Sequence, residues 1–473
     1  MKNEQHVIIT LFGATGDLAH RKLFPALFRL FKEHIIDEHF AVIGTARRSW
    51  SDEYFREKIK EACLEESEDS EDINRFTSHF YYLSHDVTNT AHYVALNNLA
   101  NSLEEKYSTH GNRLYYMAMA PQFFGLIATH LNEENLLNVS GYKRLLIEKP
   151  LGRDLESAIQ LDKEIKNAFK EEQIFRIDHY LGKDMIKFLP KLKSLPLLKE
   201  NWSYKGISKI EVTMAESLGI EHRAGYYEGT GALRDMIQNH ALQIIASILS
   251  PNNRPESGSQ QTLRSISLSE LFIPNTDQIK QNFIRGQYGE GDGQLPYLSE
   301  EGVGNESRTE TYVAGKFESQ SPTWKGVPIY FRTGKRMKTK SARVDILFKK
   351  PLIILKGLKP INVLSIIIDP NPHITGRLLD KENSRWSVDW RTLTNGEKQI
   401  EAYQRLIEEA LNGEKADFVT IENLKQTWRL IDPIESYWES EEPINLPTYN
   451  SGSMGPELAN KIIKDDSGWL FKK

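Results

Sequence analysis

The stretch VIITLFGATGDLAHRKL, residues 7–23, decides the fold of the first part of this chain. Its apolar run, residues 7–12, predicts a buried strand, and the chain then passes through Gly13 and Gly16 into a sequence typical of a helix. Such glycines let the backbone approach a pyrophosphate, and the first turn of the helix offers unpaired N–H groups with a partial positive charge. The spacing Gly13-x-x-Gly16-x-x-Ala19 differs from GxGxxG, so the interpretation depends on the strands that follow.

Short apolar runs alternate with helical stretches as far as residue 180. Continuous apolar runs are typical of parallel strands that are buried on both faces. The predicted strands are VIITLF (7–12), FAVIGTA (40–46), HFYYL (79–83), RLYYMAMA (113–120), RLLIEK (144–149) and IFRID (174–178). We therefore predict an α/β Rossmann-type dinucleotide-binding domain over residues 1–180.

Beyond residue 200 the strands no longer alternate with helices, which predicts an α+β domain with a large, mostly antiparallel sheet over residues 181–473. The helical stretches 232–249 and 399–413 are expected to cover one face of this sheet, and residues 250–261 are expected to form a loop. The predicted strands are ISKIEVTMAES (207–217), TETYVAGKF (309–317), VPIYFRTGK (327–335), ARVDILFK (342–349) and NVLSIIID (362–369).

Composition narrows the class of protein. The 473 residues are 39% hydrophobic and 26% charged, with a formal net charge of −5 in which both signs are mixed. This charge disfavours a general nucleic-acid or membrane surface. The single cysteine, Cys63, excludes an intramolecular disulfide and fits a reducing compartment. With no apolar run near the roughly 18 residues of a membrane span and no recognisable signal peptide, we expect a cytoplasmic protein.

Arg47 and Arg48 follow the second predicted strand, where a chain that prefers NAD places an acidic residue for the ribose hydroxyls. A guanidinium suits a 2′-phosphate, and a charge-assisted hydrogen bond there contributes about 1.5–3 kcal/mol. That corresponds to a preference for NADP over NAD of about 10- to 150-fold. The other interpretation is a solvated arginine pair on a loop. NADP is the expected cofactor, and NAD stays possible.

Five segments together resemble the glucose-6-phosphate dehydrogenase family, and in particular its members from lactic-acid bacteria. In chain order they are GATGDLAHRKLFP (13–25), EKPLGRDL (148–155), RIDHYLGK (176–183), RDMIQNHALQ (234–243) and VPIYFRTGKRM (327–337). The resemblance implies oxidation of β-D-glucose 6-phosphate at C1 to the 6-phospho-gluconolactone, with hydride passing to NADP. It also implies a homodimer formed through the C-terminal sheet, so residues 181–473 would serve substrate binding and dimerisation.

The resemblance implies that His240 is the catalytic base and that Asp178 is its partner. Oxidation of a hemiacetal needs a base for the C1 hydroxyl proton, and histidine has a pKa near neutrality. A carboxylate fixes the tautomer of such a histidine and stabilises its cation. The alternative for Asp178 is an ion pair with Arg176 at the end of a strand.

The same matching implies the residues that bind the substrate and the cofactor. For two of the substrate residues, Glu216 and Asp235, the alternative is a purely structural role. The sequence predicts no metal site. The implied substrate contacts are Lys149, His179, Tyr180, Lys183, Glu216, Asp235, Lys335 and Lys340. The implied cofactor contacts are Gly13, Ala14, Thr15, Gly16, Asp17, Leu18, Lys22, Arg47, Arg48, Asp86, Ala120, Pro121 and Lys149.

Lys149 precedes Pro150, which favours extended backbone at the lysine and directs it away from a helix. We offer as a hypothesis that this peptide bond is cis or switches. Two other functions stay open at this point. One is oxidation of an unphosphorylated sugar by an enzyme of the glucose–fructose oxidoreductase type, and the other is a non-catalytic protein that senses NADP.

Overall fold

The computed structural model describes residues 4–67, 69–251, 259–273, 276–354, 357–379, 381–394, 396–441 and 446–472. The chain divides into two compact units. The first unit comprises Met1–Gly152, Glu156–Gly182 and Ile400–Ile421, and the second comprises Arg153–Leu155, Lys183–Gln399 and Glu422–Lys473.

The strands of the first unit form one parallel sheet in the order β3-β2-β1-β4-β5-β6. The strands are β1 (Val7–Phe12), β2 (Phe40–Ala46), β3 (Phe80–Ser84), β4 (Arg113–Met117), β5 (Lys143–Ile147) and β6 (Ile174–Arg176). The chain reverses direction of winding between β1 and β4, and such a switch point is where doubly wound sheets bind ligands. The Rossmann-type prediction is confirmed, and every predicted strand of this region is present.

The helices complete the list of elements. The α-helices of the described residues are α1 (Phe24–Lys32), α2 (Asp52–Cys63), α3 (Ser70–Thr77), α4 (Thr90–Tyr107), α5 (Phe124–Glu133), α6 (Leu155–Lys166), α7 (Asp184–Lys193), α8 (Pro196–Asn201), α9 (Ala224–Tyr227), α10 (Leu242–Leu249), α11 (Gln260–Ser269), α12 (Thr276–Asn282), α13 (Ala402–Asn412) and α14 (Ile421–Ser440). Ala19–Leu23 and Leu233–Ala241 are π-helical, and short 3₁₀ turns cover Pro121–Phe123, Glu171–Gln173, Glu221–Arg223, Tyr297–Ser299, Trp390–Leu393 and Glu457–Ile462.

Helix α1 shows why the glycine loop is followed by a firmly held helix. Its sequence FPALFRLFK buries nearly every apolar side chain, and Pro25 occupies the first turn, where a missing N–H costs nothing. Phe28 and Phe31 both pack on Phe76 of α3, with ring centroids 5.1 and 5.4 Å apart. This aromatic cluster anchors the helix against β2, and with it the loop that precedes α1.

The second unit is built on a large mixed sheet in the order β15-β14-β13-β12-β7-β11-β10-β9-β16, and β8 pairs with β10. Its strands are β7 (Ile207–Ala215), β8 (Leu271–Phe272), β9 (Phe283–Gly289), β10 (Tyr312–Ser319), β11 (Ile329–Gly334), β12 (Ser341–Leu352), β13 (Ile361–Asp369), β14 (His373–Leu378), β15 (Lys381–Val388) and β16 (Thr448–Asn450). The pairs β7–β11 and β9–β16 are parallel, and the others are antiparallel. The prediction of a mostly antiparallel sheet is confirmed.

One predicted placement is wrong. The helix expected over residues 399–413 is present as α13, but it belongs to the first unit and not to the second. Its apolar face, with Leu406 and Ile407, lies in the same hydrophobic core as Leu27 and Phe31 of α1. The amphipathic pattern predicts a helix correctly, but it does not say which apolar surface the helix covers.

The helix expected over 232–249 is present in the second unit as the π-helical segment Leu233–Ala241 and α10. The predicted loop at 250–261 falls largely on residues 252–258, which lie outside the described residues. No helix in the described part of the chain is both long and apolar enough to cross a membrane.

Candidate functional site

The glycine loop joins β1 to the helix at the switch point of the first sheet. Gly13 has a φ of +89°, and a Cβ added there would lie 2.3 Å from the carbonyl oxygen of Ala118. Only glycine fits that close approach. The N–H groups of Gly13 and Ala14 donate to the Thr45 carbonyl at 2.9 and 3.1 Å, and Gly16 N–H donates back to Gly13 at 3.0 Å. The loop is thus held against β2 and β4 at the start of the helical segment that follows it.

The residues of the loop differ in exposure. Ala14 is buried, Thr15 and Leu18 are half-buried, and Gly16 and Asp17 are exposed. Asp17 lies 3.3 Å from Arg21, one turn further along the helix. The two opposite charges leave the local net charge close to zero. Because the ion pair is solvent-exposed, it contributes little stability. An anion bound here would therefore depend on main-chain N–H groups rather than on side-chain charge.

Arg47 and Arg48 lie at the carboxyl end of β2, and both are exposed. The hydroxyl of Tyr82 donates to the carbonyl oxygens of Arg48 and Ala46 at 2.6 and 3.2 Å. The Arg48 guanidinium lies over the Trp50 ring, 5.7 Å from its centroid. Burial raises the pKa of Tyr82 to about 12, so its hydroxyl stays protonated as a donor. The structure therefore fixes the backbone of this arginine and leaves both guanidinium groups available.

Asp86 and Lys22 have partners within the first unit. The carboxylate of Asp86 accepts from Thr88 N–H and Oγ1 at 3.0 and 2.8 Å, and these bonds lower its pKa. Lys22 Nζ lies 3.5 Å from Glu401, which caps α13. Lys22 thus has a structural partner that the sequence did not indicate.

Ala120 and Pro121 follow β4 at the same carboxyl edge of the sheet. Ala120 has extended backbone, and Pro121 begins a 3₁₀ turn that leads into α5. The N–H of Ala118 donates to Phe12 at 2.9 Å, which continues the pairing of β4 with β1 up to the glycine loop. These residues therefore border the loop from the β4 side.

Lys149 follows β5, and the Lys149–Pro150 peptide bond is cis. The residue before it, Glu148, is buried and accepts a hydrogen bond of 2.7 Å from the Tyr116 hydroxyl. Burial raises the pKa of Glu148 to about 7, although Tyr116 and Lys149 oppose the shift. A carboxyl group that titrates near neutrality thus adjoins the predicted substrate lysine.

The segment after β6 holds three predicted residues. Asp178 is 2% exposed, and its Oδ1 accepts from Tyr180 N–H at 3.0 Å. The His179 ring is stacked on Tyr403 of α13, with centroids 5.9 Å apart and planes at 11°, and it lies 4.8 Å from the Tyr180 ring. Arg176 binds Asp162 and Glu171 instead of Asp178, so the ion pair that was the alternative for Asp178 is not formed.

In the second unit, His240 lies on the π-helical segment and is 1% exposed. The main-chain N–H of His240 donates to Asn239 Oδ1 at 2.6 Å. A π-helical turn carries more residues than an α-turn, which changes the face on which side chains fall, and such turns are frequent at functional sites. Asp235, on the same segment, is 6% exposed.

Lys335 contacts two other predicted residues in the second unit, Glu216 and Asp235. Its Nζ donates to Glu216 at 2.7 Å, lies 3.9 Å from Asp235 and lies 5.0 Å from the Tyr227 ring centroid. Asp235 also accepts from the Tyr226 hydroxyl at 3.2 Å. Two carboxylates, which accept hydrogen bonds, and one ammonium group, which donates them, can together bind sugar hydroxyls, because a hydroxyl is both a donor and an acceptor.

Asp369, which the sequence did not predict as a site residue, brings Lys183 and Lys340 together. Their Nζ atoms lie 3.1 and 2.9 Å from the two carboxylate oxygens of Asp369 at the end of β13. Burial would raise the pKa of Asp369, but the two lysines hold it below its usual value. Two cations that converge on one carboxylate form an arrangement that can also receive a phosphate.

Three further residues with roles in these groups were not predicted: Glu148, Asp369 and Tyr403. Asp369 directly precedes Pro370 at the end of a strand, as Lys149 directly precedes Pro150, so its sequence carried a local signal, whereas Glu148 lies one residue further from its proline. Tyr403 had no such signal, because its position beside His179 depends on the return of the chain to the first unit.

Comparisons with known proteins cover both halves of the chain. The family model described as glucose-6-phosphate dehydrogenase, NAD binding domain, matches residues 10–188. The model described as glucose-6-phosphate dehydrogenase, C-terminal domain, matches residues 194–470.

Individual relatives agree along the full length. The chain is 42% identical to a glucose-6-phosphate 1-dehydrogenase of Streptococcus pneumoniae, over 98% of this chain and 97% of the relative. It is 38% identical to that of Leuconostoc mesenteroides over 100% of both chains. A solved structure of a glucose-6-phosphate dehydrogenase in complex with its substrate glucose-6-phosphate superposes with a TM-score of 0.87 at 30% identity, covering 100% of both chains.

Proposed function

Because the chain belongs to the glucose-6-phosphate dehydrogenase family, we propose that it oxidises β-D-glucose 6-phosphate at C1 to 6-phospho-D-glucono-1,5-lactone with NADP, the first step of the oxidative pentose phosphate pathway. The observation that carries the proposal is the pair of lysines, Lys183 and Lys340, held around Asp369 in a chain whose full length matches this family. A phosphorylated sugar explains why two cations are gathered at one point.

His240 is the general base of the proposed reaction. Its imidazole removes the proton of the C1 hydroxyl while the C1–H bond breaks, and general-base assistance of this kind contributes about 10²–10⁴ in rate. Asp178 stabilises the imidazolium that results, because a carboxylate beside a protonated imidazole favours the charged form. The assignment of both residues rests on the family match and on this chemistry.

The phosphate and the sugar ring are recognised by different groups. His179, Tyr180, Lys183 and Lys340 donate to the phosphate, since a dianion requires several donors. Glu216, Asp235 and Lys335 bind the sugar hydroxyls, and the contacts among these three support a common role.

NADP is the cofactor of the proposed reaction, and when bound it accepts the hydride from C1. The close approach of Gly13 to Ala118, where a Cβ would not fit, suits a backbone pressed against a pyrophosphate. Gly13, Ala14, Thr15, Gly16, Asp17 and Leu18 form that loop, and Arg47 and Arg48 bind the 2′-phosphate. Lys22, Asp86, Ala120, Pro121 and Lys149 complete the cofactor site, and Lys149 also contacts the substrate.

The organisation of the protein follows the same assignment. Residues 1–180 bind the dinucleotide, and residues 181–473 bind the substrate and form a homodimer through the large sheet. We place the enzyme in the cytoplasm, in keeping with its single buried cysteine.

The decisive experiment compares His240→Asn with a control variant, His222→Asn, which replaces an exposed histidine of the same unit. Rates are followed by NADPH absorbance at 340 nm, with glucose 6-phosphate and with glucose. We expect His240→Asn to lower kcat by about 10²–10⁴ with little change in KM, and His222→Asn to behave as wild type. Equal activity on glucose would instead favour an oxidoreductase for unphosphorylated sugars, and NADP binding without turnover would favour a sensor.

The phosphate site has its own test in Lys183→Met and Lys340→Met, with the exposed Lys338→Met as the matched control. Loss of one charge-assisted hydrogen bond, about 1.5–3 kcal/mol, should raise KM for glucose 6-phosphate about 10- to 150-fold. An unchanged KM in both variants would contradict the assignment of these lysines.

A further inference from the structure

Histidines gather at the amino ends of β1 and β2, the edge of the first sheet opposite to the glycine loop. We propose that Glu4, His6 and His39 bind one divalent transition-metal ion, with Zn²⁺ preferred. We name this group the amino-edge site. One ligand atom from each of the three residues lies within 4.8 Å of the other two. The sequence predicted no metal site, because His39 is far from Glu4 and His6 along the chain.

Strand register brings the two histidines together. His6 immediately precedes β1 and His39 immediately precedes β2, and these parallel strands pair with Val7 opposite Phe40. The residues one position earlier therefore face each other across a strand spacing of about 4.8 Å. Their imidazole rings are stacked, with centroids 4.3 Å apart and planes at 21°. The main chain here is fixed, because Val7 N–H donates to the His39 carbonyl at 3.0 Å.

Hydrogen bonds orient two of the three ligands. His39 Nδ1 lies 3.0 Å from the carbonyl oxygen of Tyr107. Since a carbonyl oxygen only accepts, Nδ1 carries the hydrogen and Nε2 keeps its lone pair for a metal. Metal-binding histidines almost always have such a second partner. Glu4 Oε1 accepts hydrogen bonds from the main-chain N–H groups of Glu38 and His39 at 2.9 and 3.0 Å. These bonds fix the carboxylate and leave Oε2 as a ligand atom.

His6 supplies an independent observation. Its Nδ1 is buried and has no hydrogen-bond partner among the described residues. Buried polar atoms are normally hydrogen-bonded, and a bound metal ion would satisfy this one. The His6 ring is also stacked on His110, with centroids 5.1 Å apart, so two neighbouring rings contact it.

The geometry requires little adjustment. A tetrahedral Zn²⁺ with bonds of about 2.0–2.1 Å holds its ligand atoms about 3.3 Å apart, so small side-chain rotations close the amino-edge site. Two neutral imidazoles and one carboxylate suit Zn²⁺ better than Mg²⁺ or Ca²⁺, and water completes the coordination. All three residues are partly exposed, which gives the ion a path of entry.

The role of such an ion is structural. It would tie the segment before β1 to the start of β2, and an ion that binds only the folded state raises stability. The amino-edge site lies away from the carboxyl ends of the strands, so the proposal is independent of the reaction proposed above.

The test uses full-length enzyme without an affinity tag, since tag histidines bind the same ions, after dialysis against EDTA. Zn²⁺ binding is measured by calorimetry, and Co²⁺ binding by its visible absorbance. We expect one ion per chain at the amino-edge site and a higher Tm with Zn²⁺. His39→Gln should weaken binding at least about 30-fold and abolish the Tm increase. Glu4→Gln should weaken it about 10-fold, within the range for loss of a ligand or its support.

Two controls make the result specific. His110→Gln removes the ring stacked on His6 but no ligand, and it should bind Zn²⁺ within about twofold of wild type. His240→Asn should also keep Zn²⁺ binding, because it alters the proposed active site alone. The proposal is overturned if wild type binds no Zn²⁺ at about 100 μM, if His110→Gln weakens binding as much as His39→Gln, or if only His240→Asn loses it. If His39→Gln does not fold, Glu4→Gln decides by the same criteria.

Discussion

Replacing Arg48 by alanine should change the choice between NADP and NAD more than it changes catalysis. The structure leaves the guanidinium exposed over Trp50, with its backbone carbonyl held by Tyr82. A 2′-phosphate would therefore meet a cation whose position is already restricted. NAD lacks this phosphate, so its binding should be little affected.

The magnitude follows from the exposure of the site. A unit charge about 4 Å from another in water gains about 1 kcal/mol, and a phosphate carries a charge of about −2, so the interaction is worth about 2 kcal/mol. This agrees with the range of about 1.5–3 kcal/mol for a charge-assisted hydrogen bond. We expect Arg48→Ala to lower kcat/KM for NADP about 30-fold and to leave that for NAD within about threefold.

The assay measures initial rates at 340 nm with saturating glucose 6-phosphate while NADP or NAD is varied. Arg75→Ala, which removes a partly exposed arginine paired with Asp37, is the matched control. Tyr82→Phe removes the donor to the Arg48 carbonyl and should lower the preference for NADP about 2- to 12-fold, the effect of one hydrogen bond. Equal losses with NADP and NAD in Arg48→Ala would refute the interpretation, and higher salt should reduce the wild-type preference.

Three further predictions concern the fold around the site. Burial raises the pKa of Glu148 from 4.5 to about 7 in the folded state. Between these values the folded protein holds a proton that the unfolded chain releases, so the free energy of unfolding of the wild type falls as pH rises. Glu148→Gln has no such proton, so its free energy of unfolding relative to wild type should increase by up to about 3 kcal/mol from pH 4.5 to pH 8, as measured by urea denaturation, and a difference that does not change with pH would contradict the shift. Gly13→Ala would place a Cβ against the Ala118 carbonyl and should weaken NADP binding at least about tenfold by fluorescence titration, while retention of wild-type affinity would show that the loop tolerates a side chain. Leu406→Ala should lower the free energy of unfolding by about 2–5 kcal/mol, because it leaves a cavity at a buried core position. The control Leu458→Ala changes a partly exposed leucine and should lower the free energy of unfolding far less. Equal losses in the two variants would mean that α13 is not packed as described.

The first sheet could be predicted almost completely, and for a local reason. Its strands are buried on both faces, so each is a short continuous apolar run bounded by polar residues, as in residues 7–12 and 40–46. The glycine loop was predictable because Gly13 occupies a conformation and a close contact that other residues cannot accept. The predicted strands beyond residue 200 were recovered too, although their order in the sheet and the parallel pairing of β7 with β11 were not predicted.

The assignment of α13 shows where local patterns fail. An amphipathic helix reveals its apolar face, but any apolar surface of suitable shape can cover that face, and the choice depends on the path of the whole chain. For the same reason Tyr403 beside His179, Asp369 between Lys183 and Lys340, and His6 against His39 were not predicted.

The sequence by itself determined the fold class, the glycine loop and the arginines after the second strand, because each depends on neighbouring residues. The candidate catalytic residues followed only from the resemblance to the family, and they stay predictions. Only the tertiary structure decided which side chains meet and how their charges are altered. Lys335 is held by Glu216 and Asp235, and burial raises the pKa of Glu148, through contacts between residues distant in sequence. Such contacts and the exclusion of water that accompanies them exist only after the chain has folded.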